Sequence, residues 1–354
     1  MSVREAAPAA WADAPAEGGA LSTRTGRVGN VSVDLDSLVH YHRIHGLAAP
    51  GDVGTIYAVA VPRLLSLLDD LDIRATLFVV AGELERPVAR DALVRARDAG
   101  HEIASHSFRH AYDMREWSER SIAQDLDRAD RAIERWLGVR PVGFRAPGYN
   151  VDIGILRLLA ERGYRYDSSV FPCPSYYAAK AGVLAWMGLR GRDSVSMMTD
   201  PRALLAPTQP YRPSRFALHR RGDRKHSLPL WELPIGVTPV TRLPLIGTSL
   251  LGLPSRVLDA LPGRLARRAP FFGLELHAID LMDRHDPGIS PALVRHQPDL
   301  RRRWTRKADA LRTLLTAMER HYRLEPLVRV VEALDALEGP PVIGTVDSPY
   351  FDLR

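Results

Sequence analysis

The feature that most constrains the fold is an alternation, from Val28 onward, of short apolar runs with longer amphipathic stretches. Short apolar runs predict buried strands, and apolar residues spaced three or four apart predict helices that cover them. Strands that alternate with helices indicate a parallel sheet, because each helix returns the chain to the same end of the sheet. Gly100, Gly138 and Gly163 follow three of the helical stretches, where a left-handed residue commonly ends a helix. We therefore predict an α/β fold of repeated β/α units.

The alternation gives approximate bounds for each element. The predicted strands are residues 29–34, 75–80, 102–105, 142–145, 164–166, 230–237, 272–277 and 322–327. The predicted helices are residues 56–71, 87–99, 117–137, 152–162 and 303–321. Two irregular stretches, residues 171–228 and 239–270, interrupt the alternation, and loops of this length are usually functional or disordered. The predicted segments are a disordered leader over 1–26, a barrel domain with these two insertions over 27–330, and a C-terminal helix and tail over 331–354.

Composition limits the kinds of site that the chain can build. Cys173 is the single cysteine, so a metal would need His, Asp and Glu ligands, and no intramolecular disulfide is possible. The net charge of +6 over 354 residues points only weakly to an anionic partner, and no nucleic-acid partner is predicted. No run of about 18 apolar residues predicts a membrane span, and residues 1–24 lack the features of a secretory signal.

Asp34 and Asp36 end the first predicted strand in the run VSVDLD. Their i, i+2 spacing points both carboxylates to one side of an extended chain. For an isolated pair of this kind, a solvated strand end or a helix N-cap would be the better prediction.

His106 and His110 follow the third predicted strand in the run SHSFRH. On a helical turn, the i, i+4 spacing would stack two imidazoles on one face, as chelation of a divalent ion requires. Two surface histidines are the alternative when no third ligand is present. Because the carboxyl ends of neighbouring parallel strands meet at one face, we expect Asp36 to be the third ligand. One Asp and two His leave positions open, which is typical of a catalytic metal site.

Three further polar residues follow predicted strands: Arg145 in GFRAPGY, Asp167 in YRYDSS and His277 in LELHAID. Each alone would be explained by capping, by an ion pair or by a satisfied core histidine. Their joint recurrence at the carboxyl ends of five strands favours an active site there. A group of histidines after Asp36 is predicted to line the surface or the substrate cleft rather than to form a second metal site: His40, His42 and His45.

The motifs VDLD, HSFRH, RAPGY, YDSS and LELH resemble, in this order, those of the NodB-homology polysaccharide deacetylases, carbohydrate esterase family 4. The resemblance covers roughly residues 28–327, interrupted by the insertions, and it is strongest in the His pair with the downstream RAPG segment. It implies a distorted (β/α) barrel with two irregular insertions. It also implies metal-dependent hydrolysis of an amide, usually the acyl group of an amino sugar.

The resemblance further implies a role for each motif residue. The implied metal ligands are Asp36, His106 and His110, and the implied catalytic residues are Asp34, Arg145, Asp167 and His277. Asp34 would be the general base, Arg145 would orient it, Asp167 would tune His277, and His277 would protonate the leaving amine. The backbone N–H of Gly148 would stabilise the oxyanion. The cofactor would be one divalent ion, zinc by default, with cobalt, nickel or manganese as alternatives.

Two positions depart from the common family pattern. Leu35 separates two aspartates that are usually adjacent, and Gly148 follows Pro147 where an aromatic residue is usual. Spaced Asp pairs similar to this one occur in an intracellular branch. That branch includes peptidoglycan-deacetylase-like proteins acting on small amides and enzymes that deformylate polyprenyl-linked aminoarabinose.

We predict a hydrolase of carbon–nitrogen bonds other than peptide bonds, which removes an N-acyl group, acetyl by default, from an amino sugar in a glycan or lipid-linked saccharide. The alternatives are a deformylase or cyclic amidase with a smaller substrate, and a non-catalytic carbohydrate-binding protein on the same scaffold. Residues 176–192 and 242–268 combine apolar runs with arginine, so they form either a lid over the barrel or a membrane-contact surface. The membrane alternative predicts a cytoplasmic enzyme in peripheral contact with the inner membrane face.

Overall fold

The computed structural model describes residues 26–51, 54–191 and 194–338. Strands in this part of the chain are β1 Val28–Asp34, β2 Thr76–Val79, β3 Glu102–Ser105, β4 Gly143–Phe144, β5 Tyr166–Asp167, β6 Pro213–Ser214, β7 Ala217–Arg221, β8 Trp231–Glu232, β9 Phe271–His277 and β10 Arg323–Leu324. The α-helices are α1 Leu38–Ile44, α2 Val61–Asp70, α3 Pro87–Asp98, α4 Glu119–Leu137, α5 Ile153–Glu161, α6 Pro174–Leu189, α7 Gly247–Leu250, α8 Ser255–Leu265, α9 Pro291–His296, α10 Trp304–Glu319 and α11 Leu327–Glu338. A π-helical turn, Ile56–Ala60, precedes α2.

Eight of the described strands form one curled parallel sheet around β1. Strands β2, β3, β4, β5 and β8 follow one another on one side of β1, and β9 pairs with its other edge over seven residue pairs. β10 pairs with Val28 and Gly29 at the amino end of β1. Because these pairs are parallel, the carboxyl ends of the strands meet at one end of the sheet. The predicted α/β fold of the barrel type is confirmed.

Local sequence signals set the ends of several helices. The side chain of Ser118 accepts a hydrogen bond from the N–H of Ser121 at the start of α4, and Asp152 caps α5 in the same way. Gly100, Gly138 and Gly163 have φ of 85°, 67° and 79°, as predicted for helix terminators.

The two insertions were predicted to be irregular, but both contain regular secondary structure. Residues 171–228 contain the 16-residue helix α6 and an antiparallel pair formed by β6 and β7. Residues 239–270 contain α7 and α8, and α8 packs on α10. Between β8 and β9, Val237 pairs with Pro244 and Ile246 with Glu275, so this segment turns back on itself and pairs with β9.

Some predicted bounds were too long. The strand predicted over residues 230–237 is regular only in β8, and the one predicted over 322–327 is regular only in β10. α11 begins at Leu327 and contacts β1, so it starts earlier than the helix predicted over residues 331–354. The leader prediction falls on residues 1–25, which lie outside the described part of the chain, with Gly26 as the first described residue. Among the described residues, no helix combines the length and apolar character needed to cross a bilayer.

Candidate active site

Asp34 and Asp36 lie at the carboxyl end of β1, in the middle of the sheet. β1 is flanked by β2 and β9, and Asp34 is in register with Phe78 and His277. The two aspartates are only 1% and 5% exposed. The alternative of a solvated strand end is therefore wrong, and two buried carboxylates require polar or charged partners.

His106 and His110 reach the same place from the loop after β3. Their rings lie 4.9 Å apart, edge to face. The segment is a loop rather than the predicted helical turn, because Ser107 and His110 have left-handed φ of 64° and 52°. Ser107 Oγ accepts a hydrogen bond from the His110 N–H at 3.0 Å, and Asp125 Oδ2 accepts one from the Phe108 N–H at 2.8 Å. A specific loop conformation therefore brings the two imidazoles together.

The side chains of Asp36, His106 and His110 form a group of potential metal ligands. Asp36 Oδ1 lies 2.9 Å from His110 Nε2 and 3.4 Å from His106 Nε2. Asp36 Oδ1 and His110 Nε2 are buried, yet neither makes a hydrogen bond to any described residue. Buried polar atoms are rarely left unpaired, and one carboxylate with two imidazoles is a common donor set for a divalent metal. The predicted ligand set therefore fits a metal.

The members of this group shift one another's pKa values. Burial alone would raise the pKa of Asp36, but His110 and His106 hold it well below its usual value. Burial lowers the pKa of His110. Burial also acts to lower the pKa of His106, but Asp34 and Asp36 outweigh it and raise that pKa. The ionised carboxylate of Asp36 beside a neutral His110 is the protonation state that binds a divalent cation.

Arg145 holds Asp34, as predicted. Its Nη1 donates a hydrogen bond to Asp34 Oδ1 at 2.6 Å, and its Nη2 donates to Ser32 Oγ and Ser168 Oγ at 3.0 and 2.9 Å. The backbone carbonyl of Arg145 lies 2.7 Å from His106 Nδ1. Because Arg145 engages Oδ1, the second oxygen of Asp34 is turned to the site, where Oδ2 lies 3.8 Å from His106 Nε2.

His277 faces the two aspartates from β9. Its Nε2 lies 4.0 Å from Asp34 Oδ2 and 3.9 Å from Asp36 Oδ2. Its side chain is 24% exposed, whereas those of the two aspartates are at most 7% exposed. Burial would lower the pKa of His277, but Glu275, Asp34 and Asp36 outweigh burial and raise it well above 6.5. His277 is therefore partly exposed to solvent, and its raised pKa means that it keeps its proton to higher pH than an ordinary histidine.

Glu275, rather than Asp167, is the carboxylate that contacts His277. Glu275 Oε1 lies 2.9 Å from His277 Nδ1, and the Tyr149 hydroxyl donates a hydrogen bond to the same oxygen at 3.2 Å. Glu275 was not among the predicted site residues. Its i, i+2 spacing from His277 was the available signal, because that spacing places both side chains on one face of β9.

Asp167 has other partners in the structure. Its carboxylate accepts hydrogen bonds from the N–H and hydroxyl of Ser169 at 3.1 and 2.6 Å. It is also hydrogen-bonded to the carboxyl group of Glu232, whose pKa burial and Asp167 raise well above its usual value. The prediction that Asp167 tunes His277 is therefore wrong: Asp167 lies on β5 between β4 and β8, whereas Glu275 lies next to His277 on β9.

Gly148 lies where close packing excludes a side chain. Its φ is 62°, and a Cβ at this position would lie 2.7 Å from the ring of Tyr112. Tyr112 in turn packs edge to face on His110, with 5.0 Å between ring centroids. Gly148 stands where the common family pattern has an aromatic residue. Here the ring of Tyr112 occupies the space that a side chain at this position would need.

His40 and His42 are buried on helix α1, and His45 is the C-cap residue of that helix. The ring of His40 lies 4.0 Å from that of His110, and neither of its nitrogens has a hydrogen bond among the described residues. Burial, followed by the charge of His110, lowers the pKa of His40 to about 2. His42 Nδ1 lies 2.9 Å from the Leu38 carbonyl. Both side chains are buried, so the prediction that they line the surface or cleft is wrong for His40 and His42.

Sequence comparison assigns the central part of the chain to a family. The model of the family described as Polysaccharide deacetylase matches residues 52–166. A peptidoglycan deacetylase-like protein of Gibberella zeae is 36% identical over 115 residues, which make up 32% of this chain and 33% of that protein. A chitin deacetylase of Colletotrichum lindemuthianum is 31% identical over 106 residues, which make up 29% of this chain and 42% of that protein. Residues 52–166 are therefore similar to the polysaccharide deacetylase family.

The segment that matches the family model carries only part of the site. It includes His106, His110 and Arg145, whereas Asp36 and His277 lie before and after it. The chain spans about a third of the length of the curated relatives that it matches, between 30% and 42%. The fold therefore brings residues that the family match does not cover, such as Asp36 and His277, together with residues that it does cover.

Solved structures share the fold of this chain. A putative polysaccharide deacetylase from Mycobacterium smegmatis has a TM-score of 0.56 at 20% identity and covers 92% of this chain and 96% of its own. The Puue allantoinase has a TM-score of 0.50 at 17% identity and covers 87% of this chain and 90% of its own. At these identities the similarity describes the fold alone.

Proposed function

We propose that the chain is a metal-dependent hydrolase that removes an N-acyl group, acetyl by default, from an amino sugar in a glycan or a lipid-linked saccharide. The proposal rests on one observation above all. The proposed acid, His277, lies beside both the proposed base and the potential metal ligands: its Nε2 is 4.0 Å from Asp34 Oδ2 and 3.9 Å from Asp36 Oδ2. The match to the polysaccharide deacetylase family adds the expectation that the substrate is an acetylated carbohydrate.

Asp36, His106 and His110 would hold the metal. When bound, a divalent ion supplies a Lewis acid that lowers the pKa of water and polarises the amide oxygen. The three ligands leave positions open for water and substrate. Zinc remains the default, and the Asp and His donors also suit cobalt, nickel or manganese.

Asp34 would take the proton of the attacking water. Arg145 engages Oδ1 and fixes the plane of the carboxylate, which leaves Oδ2 directed to the ligand group. A base whose position is fixed in this way meets the geometric requirement for proton transfer without reorganisation.

His277 would protonate the leaving amine. Glu275 engages Nδ1, so the proton on Nε2 is the one available for transfer. Breaking the amide C–N bond requires a proton on the nitrogen, and His277 is the exposed donor on that side of the site. The backbone N–H of Gly148 is the proposed donor to the oxyanion that forms at the carbonyl.

Release of acyl groups by the metal-loaded protein tests this function. The chain is stripped with a chelator, reloaded with zinc, cobalt, nickel or manganese, and assayed for acetate and formate release from N-acetyl and N-formyl amino sugars, free and lipid-linked. We expect metal-dependent acetate release that the chelator abolishes. Formate release alone, or cleavage of a small cyclic amide alone, would favour the smaller-substrate alternative. Saccharide binding without release under any metal would favour a binding protein.

The insertion helix α6 supports a peripheral membrane contact as a finer part of the proposal. Val183, Trp186 and Leu189 are 51%, 42% and 89% exposed, and Lys180 is the only charged residue of α6. On its inner side, the Tyr176 ring packs against that of Tyr149 with 5.8 Å between centroids. α6 therefore has the features of a lid on one face and of an interfacial helix on the other.

Flotation with liposomes tests the membrane contact. We expect the chain to float with vesicles that contain anionic lipid at low salt, and a Trp186→Ser, Leu189→Ser variant to float less. Trp136→Ser on α4 is the matched control, because Trp136 is similarly exposed, at 37%, on a different element. A chain that stays in the soluble fraction contradicts the membrane contact. The cytoplasmic location is proposed with it, and cell fractionation checks that part.

A further inference from the structure

Lys180 lies beside the loop that carries Gly148. A Cβ placed on Gly148 would lie 4.0 Å from Lys180 Nζ and 2.7 Å from the Tyr112 ring. Lys180 belongs to α6, so this ammonium group reaches the site from an insertion rather than from the barrel strands. The family match ends at residue 166 and does not cover it.

Among the described residues, the Lys180 ammonium group has no hydrogen bond and no ion pair, and burial is the only influence on its pKa. Its side chain is partly buried, and burial lowers its pKa to about 8, which leaves it mostly protonated at neutral pH. The other two lysines differ: Lys307 lies 3.5 Å from Asp299, and Lys225 is exposed on the turn after β7. Lys180 Nζ is not one of the buried side-chain atoms that lack a hydrogen bond, so this ammonium group is accessible to an incoming anion.

The inner face of α6 contains no acidic side chain that could pair with this ammonium group. The buried or half-buried residues of α6 are Tyr176, Tyr177, Lys180, Leu184 and Met187. Lys180 therefore brings an ammonium group to Gly148, the position proposed for the oxyanion donor.

We propose that Lys180 selects N-acylated amino sugars that carry a phosphate or carboxylate group close to the acylated nitrogen. The inference rests on the proposed function and narrows its substrate class to anionic saccharides. The ammonium group would form a charge-assisted hydrogen bond with the anion, while Gly148 and the metal-ligand group engage the amide. A charge-assisted hydrogen bond corresponds to a preference of about 10- to 100-fold over a neutral analogue.

Binding affinities measured by calorimetry test the inference without relying on turnover. The probes are N-acetylglucosamine, N-acetylglucosamine 1-phosphate and N-acetylmuramic acid, each titrated into the zinc-loaded chain. We expect at least one anionic sugar to bind about 10- to 100-fold more tightly than the neutral one. The phosphate and carboxylate probes distinguish the two sources of charge.

Lys180→Met removes the charge at similar length, Lys180→Arg retains it, and Lys225→Met is the matched control on an exposed lysine. We expect Lys180→Met to lose the anionic preference with unchanged affinity for N-acetylglucosamine, and Lys180→Arg and Lys225→Met to keep the preference. Thermal unfolding confirms that each variant is folded. Equal affinities for the three sugars, no binding of any of them, or a preference that survives in Lys180→Met would overturn the inference. Acetate release, measured separately, tests the proposed function, so anion-selective binding without release would count against hydrolysis but not against the role of Lys180.

Discussion

The two sides of the candidate site differ in how their side chains are satisfied. On the ligand side, Asp36 and His110 are buried and lack hydrogen bonds at the atoms that face each other. On the acid side, His277 is partly exposed and already paired with Glu275. The first arrangement is incomplete without a cation, whereas the second is preorganised by the chain itself. Removing a residue should therefore have different consequences on the two sides.

Loss of a metal ligand should give the largest effect. His106→Ala or His110→Ala removes one of three donors, so we expect bound metal to be depleted and acyl release to fall to background. Elemental analysis of each purified variant, together with acetate release, measures both. Full metal occupancy in both single variants would place the metal elsewhere. His40 would then be the next residue to test, because its nitrogens make no hydrogen bond among the described residues and its ring centroid lies 4.0 Å from that of His110.

Loss of the acid or the base should slow turnover but leave the metal bound. General acid–base groups contribute about 10²- to 10⁴-fold, so we expect losses of that order in Asp34→Asn and His277→Ala. Asp34→Asn also leaves the buried Arg145 without its charged partner, so its thermal unfolding is measured beside the rate. A near wild-type rate in either variant would remove that residue from the proposed chemistry, and loss of metal in both would erase the contrast between the two sides.

Loss of the Glu275 charge should change the pH dependence. Glu275 raises the pKa of His277, and an acid must be protonated to act, so activity extends to higher pH while Glu275 is ionised. In Glu275→Gln we expect the alkaline limb of the pH–rate profile to move to lower pH, with a loss of about tenfold near neutrality. Asp167→Asn is the matched control and should leave that limb in place, because Asp167 contacts Ser169 and Glu232. An alkaline limb that moves in Asp167→Asn and not in Glu275→Gln would restore the original prediction.

The residues at strand ends could be predicted from the sequence because the evidence for them is local. Each of Asp34, His106, Arg145 and His277 follows a short apolar run, and parallel pairing places all such ends together. Which carboxylate contacts His277 is not local information, because it depends on the position of each strand in the sheet. The resemblance assigned that role to Asp167, and the strand register assigns it to Glu275.

Helix α6 was missed for a different reason. A helix is recognised by apolar residues that recur on one face and polar residues on the other. In α6 the exposed residues include Val183, Trp186 and Leu189, so that contrast is absent. The same property that hid the helix from sequence analysis makes its outer face a candidate for contact with a membrane interface.

The smallest expected effect concerns the loop that carries the two histidine ligands. Asp125 on α4 accepts a hydrogen bond from the Phe108 N–H, midway between His106 and His110, and lies 3.6 Å from Arg109. Because His110 has a left-handed φ, the loop needs external support to hold both imidazoles in place. Groups that orient metal ligands typically contribute about 10- to 100-fold to affinity, and Asp125 acts through the backbone, so we expect Asp125→Ala to weaken metal binding by about tenfold.

Competition with a chelator measures the metal affinity of that variant. Asp127→Ala is the matched control, since Asp127 lies on the same helix and pairs with Arg162 instead of the loop. We expect metal affinity to fall in Asp125→Ala alone, and the rate at saturating metal to stay close to wild type, because no group that contacts the substrate has changed. Equal affinity in the two variants would mean that the loop holds its shape without α4. The ligand side of the site would then be as preorganised as the acid side. The two sides would differ only in that Asp36 Oδ1 and His110 Nε2 make no hydrogen bond.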